Sequence, residues 1–113
     1  MKHSPTSRSL ALLREEGCLC AIVEKFVRFP HPGHRVDLWG FGDILACKPG
    51  IAPMIVQTTT AANQAARVAK IRASKEFPIV AASGFRVIAH GWRKGGARGE
   101  RKTWTCNVQE VEP

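Results

Sequence analysis

The chain reads as a single α/β domain whose mixed sheet is flanked by helices. Three β-rich runs precede an alanine-rich helical stretch, and two further strand-like segments close the chain. At 113 residues there is length for one core and too little for two. An apolar fraction of 44% excludes a disordered chain, and no internal repeat or long linker divides residues 1–113.

The elements follow in order. Ser7 to Glu16 has Leu10 and Leu13 on one face and Gly17 placed to stop it, which predicts a short helix. In "CLCAIVEKFVRF", Leu19, Ala21, Val23, Val27 and Phe29 alternate, predicting one strand with those residues turned inward. A turn at Pro30–Gly33 leads to a second β run, "HRVDLWGFGDILAC", bent or bulged at Gly40 and Gly42. After Lys48-Pro49-Gly50, the run through Met54, Ile55 and Val56 predicts a central strand buried on both faces.

Thr59 or Thr60 then caps a helix over "AANQAARVAKIRAS". Ala62, Ala65, Ala66, Ala69 and Ala73 form a small-residue stripe suited to lie against the sheet, with Asn63, Arg67 and Lys70 on a separate polar stripe. Pro78 begins a short helix ended by Gly84. The C-terminal part predicts a hairpin, "FRVIAHGW" with "KTWTCNVQEV", in which Trp92 and Trp104 are cross-strand packing partners. The order is therefore helix, three strands, helix, short helix, two strands.

A formal charge of +8 points to an acidic partner, nucleic acid before anionic membrane. Neither an apolar signal-peptide core nor a run of roughly 18 apolar residues is present, so the expected setting is cytoplasmic, with no membrane partner. There Cys18, Cys20, Cys47 and Cys106 are expected to be reduced. Their spacing is wrong for a zinc knuckle, so buried strand cysteines are the simpler reading.

Chemistry concentrates in "GDILACKPGIAPMIVQTTT". Asp43 follows a glycine at a strand end, and Gln57 lies near the end of the next strand. Antiparallel neighbours about 4.8 Å apart would bring both side chains to one hard cation, Mg²⁺ or Mn²⁺, with the Thr58 carbonyl as a further ligand and its side chain pointing away. Arg67 and Lys70 would face a phosphate. Arg93, Lys94, Arg98, Arg101 and Lys102, in and beside a glycine-rich loop, would track a DNA backbone. Simpler roles exist for each residue: a turn for Asp43, a polar strand end for Gln57, a solvated helix face for Arg67 and Lys70. Asp37 is either a second ligand or an exposed strand residue.

The pattern resembles the PD-(D/E)XK nuclease superfamily, in particular Holliday-junction resolvases and virus-type replication-repair nucleases. The stretches "RVDLWGFGDILA", "VQTTT", "AARVAKI" and "HGWRK" are also similar to small proteins of phages and prophages, over roughly residues 14–111. The resemblance implies a restriction-endonuclease-like core and a divalent-metal-dependent endonuclease acting on DNA, at branched or flap structures. A phage-encoded member would act in the cytoplasm of a bacterial host, and resolvases of this fold work as homodimers. It makes Asp43 the metal-binding aspartate and Gln57 a variant of the (D/E) position. Glu15 or Glu16 matches an additional acidic residue of the first helix. Thr59 stands where the family carries its lysine, and Lys70 on the following helix is the substitute the resemblance suggests. The same two departures, at Thr59 and Gln57, suit an alternative: a nuclease-fold DNA-binding or accessory protein without catalysis.

Overall fold

The computed structural model describes residues 3–113. Its elements are α1 (Pro5–Glu15), β1 (Leu19–Ile22), β2 (Lys25–Val27), β3 (His34–Val36), β4 (Ile44–Cys47), β5 (Met54–Thr60), α2 (Ala61–Ala73), α3 (Phe77–Ala82), β6 (Arg86–Gly95) and β7 (Thr103–Glu110). Five strands form one mixed sheet in the order β1-β4-β5-β6-β7, and β2 pairs with β3 as a separate two-stranded hairpin. Only β5 and β6 run parallel, a pairing that needs a crossover, supplied here by α2 and α3.

Two apolar clusters cover the two faces of the sheet. Leu10 and Leu13 of α1 pack with Ile44, Val56 and Ile88 on one face. Val68 and Ile71 of α2, with Phe77 and Val80 of α3, pack with Ile55 and Val87 on the other. Strand β5 feeds both layers in alternation, so the unbroken run Met54-Ile55-Val56 is central as predicted.

Helix α1 begins two residues earlier than the sequence suggested. Ser4 is its N-cap and completes a reciprocal capping box with Ser7, with Pro5 in the first turn. Gly17, at φ +94°, ends the helix as expected.

Several packing expectations are revised. Both runs predicted as single strands before Lys48 are split, so five strands rather than three precede α2. The first leaves the ladder at Glu24, just after the Val23 N–H bonds to the Asp43 carbonyl, and the second divides into β3 of the hairpin and β4 of the main sheet. The inward face of β1 is also the opposite one. Cys18 and Cys20 turn toward α1, while Leu19 is 78% exposed on an edge strand whose outer face has no covering layer. Of the four cysteines, which form no disulfide, only Cys18 is fully buried.

On α2 the alanine stripe faces solvent, and the buried positions are Gln64, Val68 and Ile71. Burying valine and isoleucine removes more apolar area from water than burying alanine, at about 25 cal/mol per Å², so the larger side chains take the sheet side. Gln64 locks the helix in place. Its Nε2 donates to the carbonyls of Ala89 and Asn107, and its Oε1 accepts from Asn107 Nδ2. A side chain at Gly91 would collide with it.

The C-terminal hairpin forms as predicted, but β6 extends to Gly95, so Arg93 and Lys94 lie on the strand rather than in the loop. Trp92 and Trp104 are not opposite each other as predicted: they stand opposite Cys106 and Lys94 respectively, and each meets α1. Trp92 Nε1 donates to Ser9 Oγ at 2.8 Å, and the Arg8 guanidinium lies 3.7 Å above the Trp104 ring. Ser9 Oγ also lies 2.8 Å from His90 Nδ1. Since the indole can only donate, the serine hydroxyl is free to give its proton to Nδ1, which fixes His90 as the Nε2–H tautomer. Burial holds the His90 imidazole down to a pKa of about 4, consistent with a neutral ring.

Ser9 thus joins α1 to β6 through two buried partners. Ser9→Ala should leave both unpaired and lower stability by about 1–3 kcal/mol in urea unfolding. An unchanged midpoint would refute this account of the α1–sheet contact.

Candidate functional site

The cleft is built at one end of the sheet by backbone hydrogen bonds. Strand β4 pairs with β5 through Ile44 and Val56, and the Asp43 N–H donates to the Val56 carbonyl at 2.9 Å. One step further, Asp43 stands opposite Gln57, as the sequence spacing anticipated. Just before it, Leu38 and Gly42 close a tight loop by exchanging backbone hydrogen bonds of 2.9 and 2.8 Å. A side chain at Gly42 would run into Ile55 and Leu38, so glycine there permits the close approach. The closed loop makes Asp37 and Asp43, its flanking residues, spatial neighbours. The Val23–Asp43 backbone bond adds Glu24 to the same place.

Carboxylate oxygens of Glu24, Asp37 and Asp43 consequently lie within 4.8 Å of one another. They line an open cleft of about 230 Å³ together with Thr6, Arg35, Gln57, Thr58 and Arg67. Asp43 is 4% exposed and tightly held. Its Oδ2 accepts from the Thr58 N–H at 2.7 Å, from Gln57 Nε2 at 3.0 Å and from Thr58 Oγ1 at 3.2 Å. With the Thr58 hydroxyl committed to Asp43, Thr6 Oγ1 donates to it at 2.8 Å, tying the start of α1 to the cleft. The Thr58 side chain therefore does not point away, as expected from strand alternation; it supports Asp43.

The Gln57 amide shows what is missing from this shell. Its Nε2 faces the carboxylate, and its Oε1 is a buried polar atom with no partner, the sole such atom among the described residues. Turned over, the amide would bring this oxygen to the Asp43 carboxylate in the cleft that Glu24 and Asp37 also line, a donor set that fits a hard cation such as Mg²⁺ or Mn²⁺. Burial first, then the charge of Asp37 and hydrogen bonding with the Glu24 and Asp37 carboxyls, push the Asp43 carboxyl up to about 8 despite the Thr58 N–H bond.

The other predicted site residues fall as follows. Thr59 is buried, opposite Gly91 of β6. Arg67 lines the cleft and forms no ion pair among the described residues, whereas Lys70, one turn on, is exposed and is not part of the lining. Glu15 is exposed near the end of α1. Glu16 follows it and lines a different cavity with Cys18 and Met54, about 15 Å of helix from Thr6. The acidic residues that accompany Asp43 are instead Glu24 and Asp37. Glu24 received no role from the sequence, and nothing local in it signals one; for Asp37, "DLWGFGD" is a legible signal, two aspartates flanking a glycine-closed loop.

Arg93, Lys94, Arg98, Arg101 and Lys102 are exposed at the far end of β6 and in residues 96–102. Because β6 runs parallel to β5, they lie toward the same end of the sheet as Gln57. Lys102 Nζ is engaged with the Gly96 carbonyl at 3.1 Å.

In comparisons with known proteins, no family model, curated sequence or solved structure matches the chain. No helix among the described residues is long and apolar enough to cross a membrane.

The raised Asp43 carboxyl has a thermodynamic consequence. The folded state holds this proton more tightly than the unfolded chain, so its stabilising contribution is complete below pH about 4 and is lost as pH rises toward 8. His90 acts oppositely but only below about 6.5. Metal-free protein should therefore lose stability between pH 6.5 and 8, by at most about 1.4 kcal/mol per pH unit. Asp43→Asn or added Mn²⁺ should flatten that decline in thermal unfolding; a profile already flat without metal would contradict the assignment.

Proposed function

We propose that the protein is a divalent-metal-dependent endonuclease that hydrolyses DNA phosphodiester bonds, with the PD-(D/E)XK-like site suggested by its sequence. The observation that carries this reading is the meeting of Asp43 and Gln57 across β4 and β5, in a cleft that also holds Glu24, Asp37 and Arg67. Asp43 and the free Gln57 Oε1, with Glu24 and Asp37, would hold Mg²⁺ or Mn²⁺. When bound, such an ion lowers the pKa of its water and polarises the phosphoryl oxygen.

The chain's own residues supply the rest. Thr58 and Thr6 fix the Asp43 carboxylate by hydrogen bonds, so little reorganisation is needed when a cation arrives. Arg67 presents its guanidinium from α2 to a scissile phosphate and takes the electrostatic part suggested for Lys70. The exposed cations of β6 and residues 96–102 extend a positive track for the DNA backbone at the same end of the sheet. A homodimer, implied by the resolvase resemblance, would present two such clefts for paired cuts.

A second reading, DNA binding without hydrolysis, draws on Thr59, an uncharged and buried residue in the position of the family's lysine. Incubation with supercoiled plasmid and a four-way junction, in Mn²⁺ and in EDTA, separates the two. The nuclease reading expects Mn²⁺-dependent nicking, lost in Asp43→Ala and reduced ~10²-fold or more in Arg67→Ala. Binding with no cleavage in either metal condition establishes the second reading.

A further inference from the structure

The β2–β3 hairpin pairs with no other strand, yet both its ends are fixed at the cleft, by Glu24 before β2 and Asp37 after β3. Between Lys25 and Val36 it carries three cations, Lys25, Arg28 and Arg35, and no acidic residue. The register sets Phe26 opposite Arg35, so the ring and the guanidinium share one face. Phe26 is 62% exposed. Its ring lies over Gly33, whose φ of +90° and lack of a side chain leave room for it; any Cβ there would strike the ring. Arg35 bonds to Glu24 Oε1 at 3.2 Å and lines the cleft. The aromatic surface and the cleft are therefore continuous, with Arg35 between them and Arg67 on the same cleft wall as Gln57.

Phe29, 80% exposed, lies on the same hairpin, so two aromatic rings stand among Lys25, Arg28 and Arg35. A protein partner would match a continuous apolar patch, whereas here the exposed Phe26, Phe29 and Val36 are interspersed with the cations Lys25, Arg28 and Arg35. A polyanion with flat apolar faces suits both: phosphates meet Arg35 and Arg67, and a base stacks on Phe26. Bases in an intact duplex are stacked on each other and do not offer their faces.

We propose that the hairpin is a single-strand-recognition element: an unpaired DNA strand crosses the cleft with its phosphate at Arg35 and Arg67, and its neighbouring base stacks on Phe26. The inference rests on the nuclease reading for its choice of DNA, and it narrows the substrate to single-stranded or locally unpaired stretches.

Binding is measured without cleavage, by fluorescence anisotropy of the full chain in EDTA. The probes are a labelled oligothymidylate and a blunt duplex of equal length. The single strand should bind more tightly than the duplex, and Phe26→Ala should weaken single-strand binding roughly 5- to 100-fold. Phe26→Leu, which keeps an apolar side chain over Gly33, should lose as much, while Phe26→Trp should restore binding. Ile79→Ala, an exposed apolar position on α3, should change nothing. Equal affinity for single strand and duplex, or wild-type affinity in both Phe26→Ala and Phe26→Leu, overturns the proposal and leaves the face to a protein partner. Phe26-dependent binding by a protein that never cuts in Mn²⁺ would refute the nuclease reading while leaving this one intact.

Discussion

The cleft depends on one carboxylate held in one orientation. Asp43 sits where β4 has just entered the sheet, so its backbone continues the ladder while its side chain replaces the next backbone acceptor. The Thr58 N–H, which a longer β4 would have bonded through its main chain, is satisfied by Oδ2 instead. That substitution ends the β4–β5 pairing and opens the gap into which Asp37, Glu24 and Arg67 project. It also turns the Gln57 amide so that its oxygen is left without a partner. Three acidic groups are thereby drawn together, one of them buried; Arg35 pairs with Glu24, while Asp37 and Asp43 have no ion-pair partner among the described residues.

How the protein supports such an arrangement is visible in its second polar line. On the α1 face of the sheet, Thr6 reaches Thr58, and three residues later Ser9 reaches His90 and Trp92. Both contacts come from the same side of one helix, whose Leu10 and Leu13 bury against the sheet. Helix α1 is thus both a core element and the back wall of the cleft. On the opposite face Gln64 plays the matching part for α2, fixing the helix that carries Arg67.

Much of this was legible in the sequence, for physical reasons. Central β5 is apolar at every position from Met54 to Val56 because both faces are covered, and Gly17 and Gly84 mark helix ends by their positive φ. The Asp43–Gln57 meeting followed from strand spacing alone. What was not legible depends on long-range contacts. The inward face of β1 could not be read from alternation, since on an edge strand Cys18 and Cys20 compete with Leu19 and Ala21 on nearly equal terms. The alanine stripe of α2 misled because smallness permits close packing without demanding it, whereas Val68 and Ile71 gain more from burial. Glu24 entered the cleft through a single bond between Val23 and Asp43, a contact across twenty positions that no local pattern encodes.

The hairpin between β1 and β4 is rooted at the cleft by both of its ends. Its root brings Glu24, Arg35 and Asp37 to one side of the cavity, while α2 brings Arg67.

The central claim is that Glu24, Asp37, Asp43 and Gln57 together form a binding site for a hard divalent cation. Isothermal titration of the 113-residue chain with Mn²⁺ near pH 7 tests it most directly. The account predicts one saturable site per chain with release of protons, weakened in Asp37→Asn and abolished in Asp43→Asn. Absence of saturable heat, or titration curves identical in all three proteins, would contradict it.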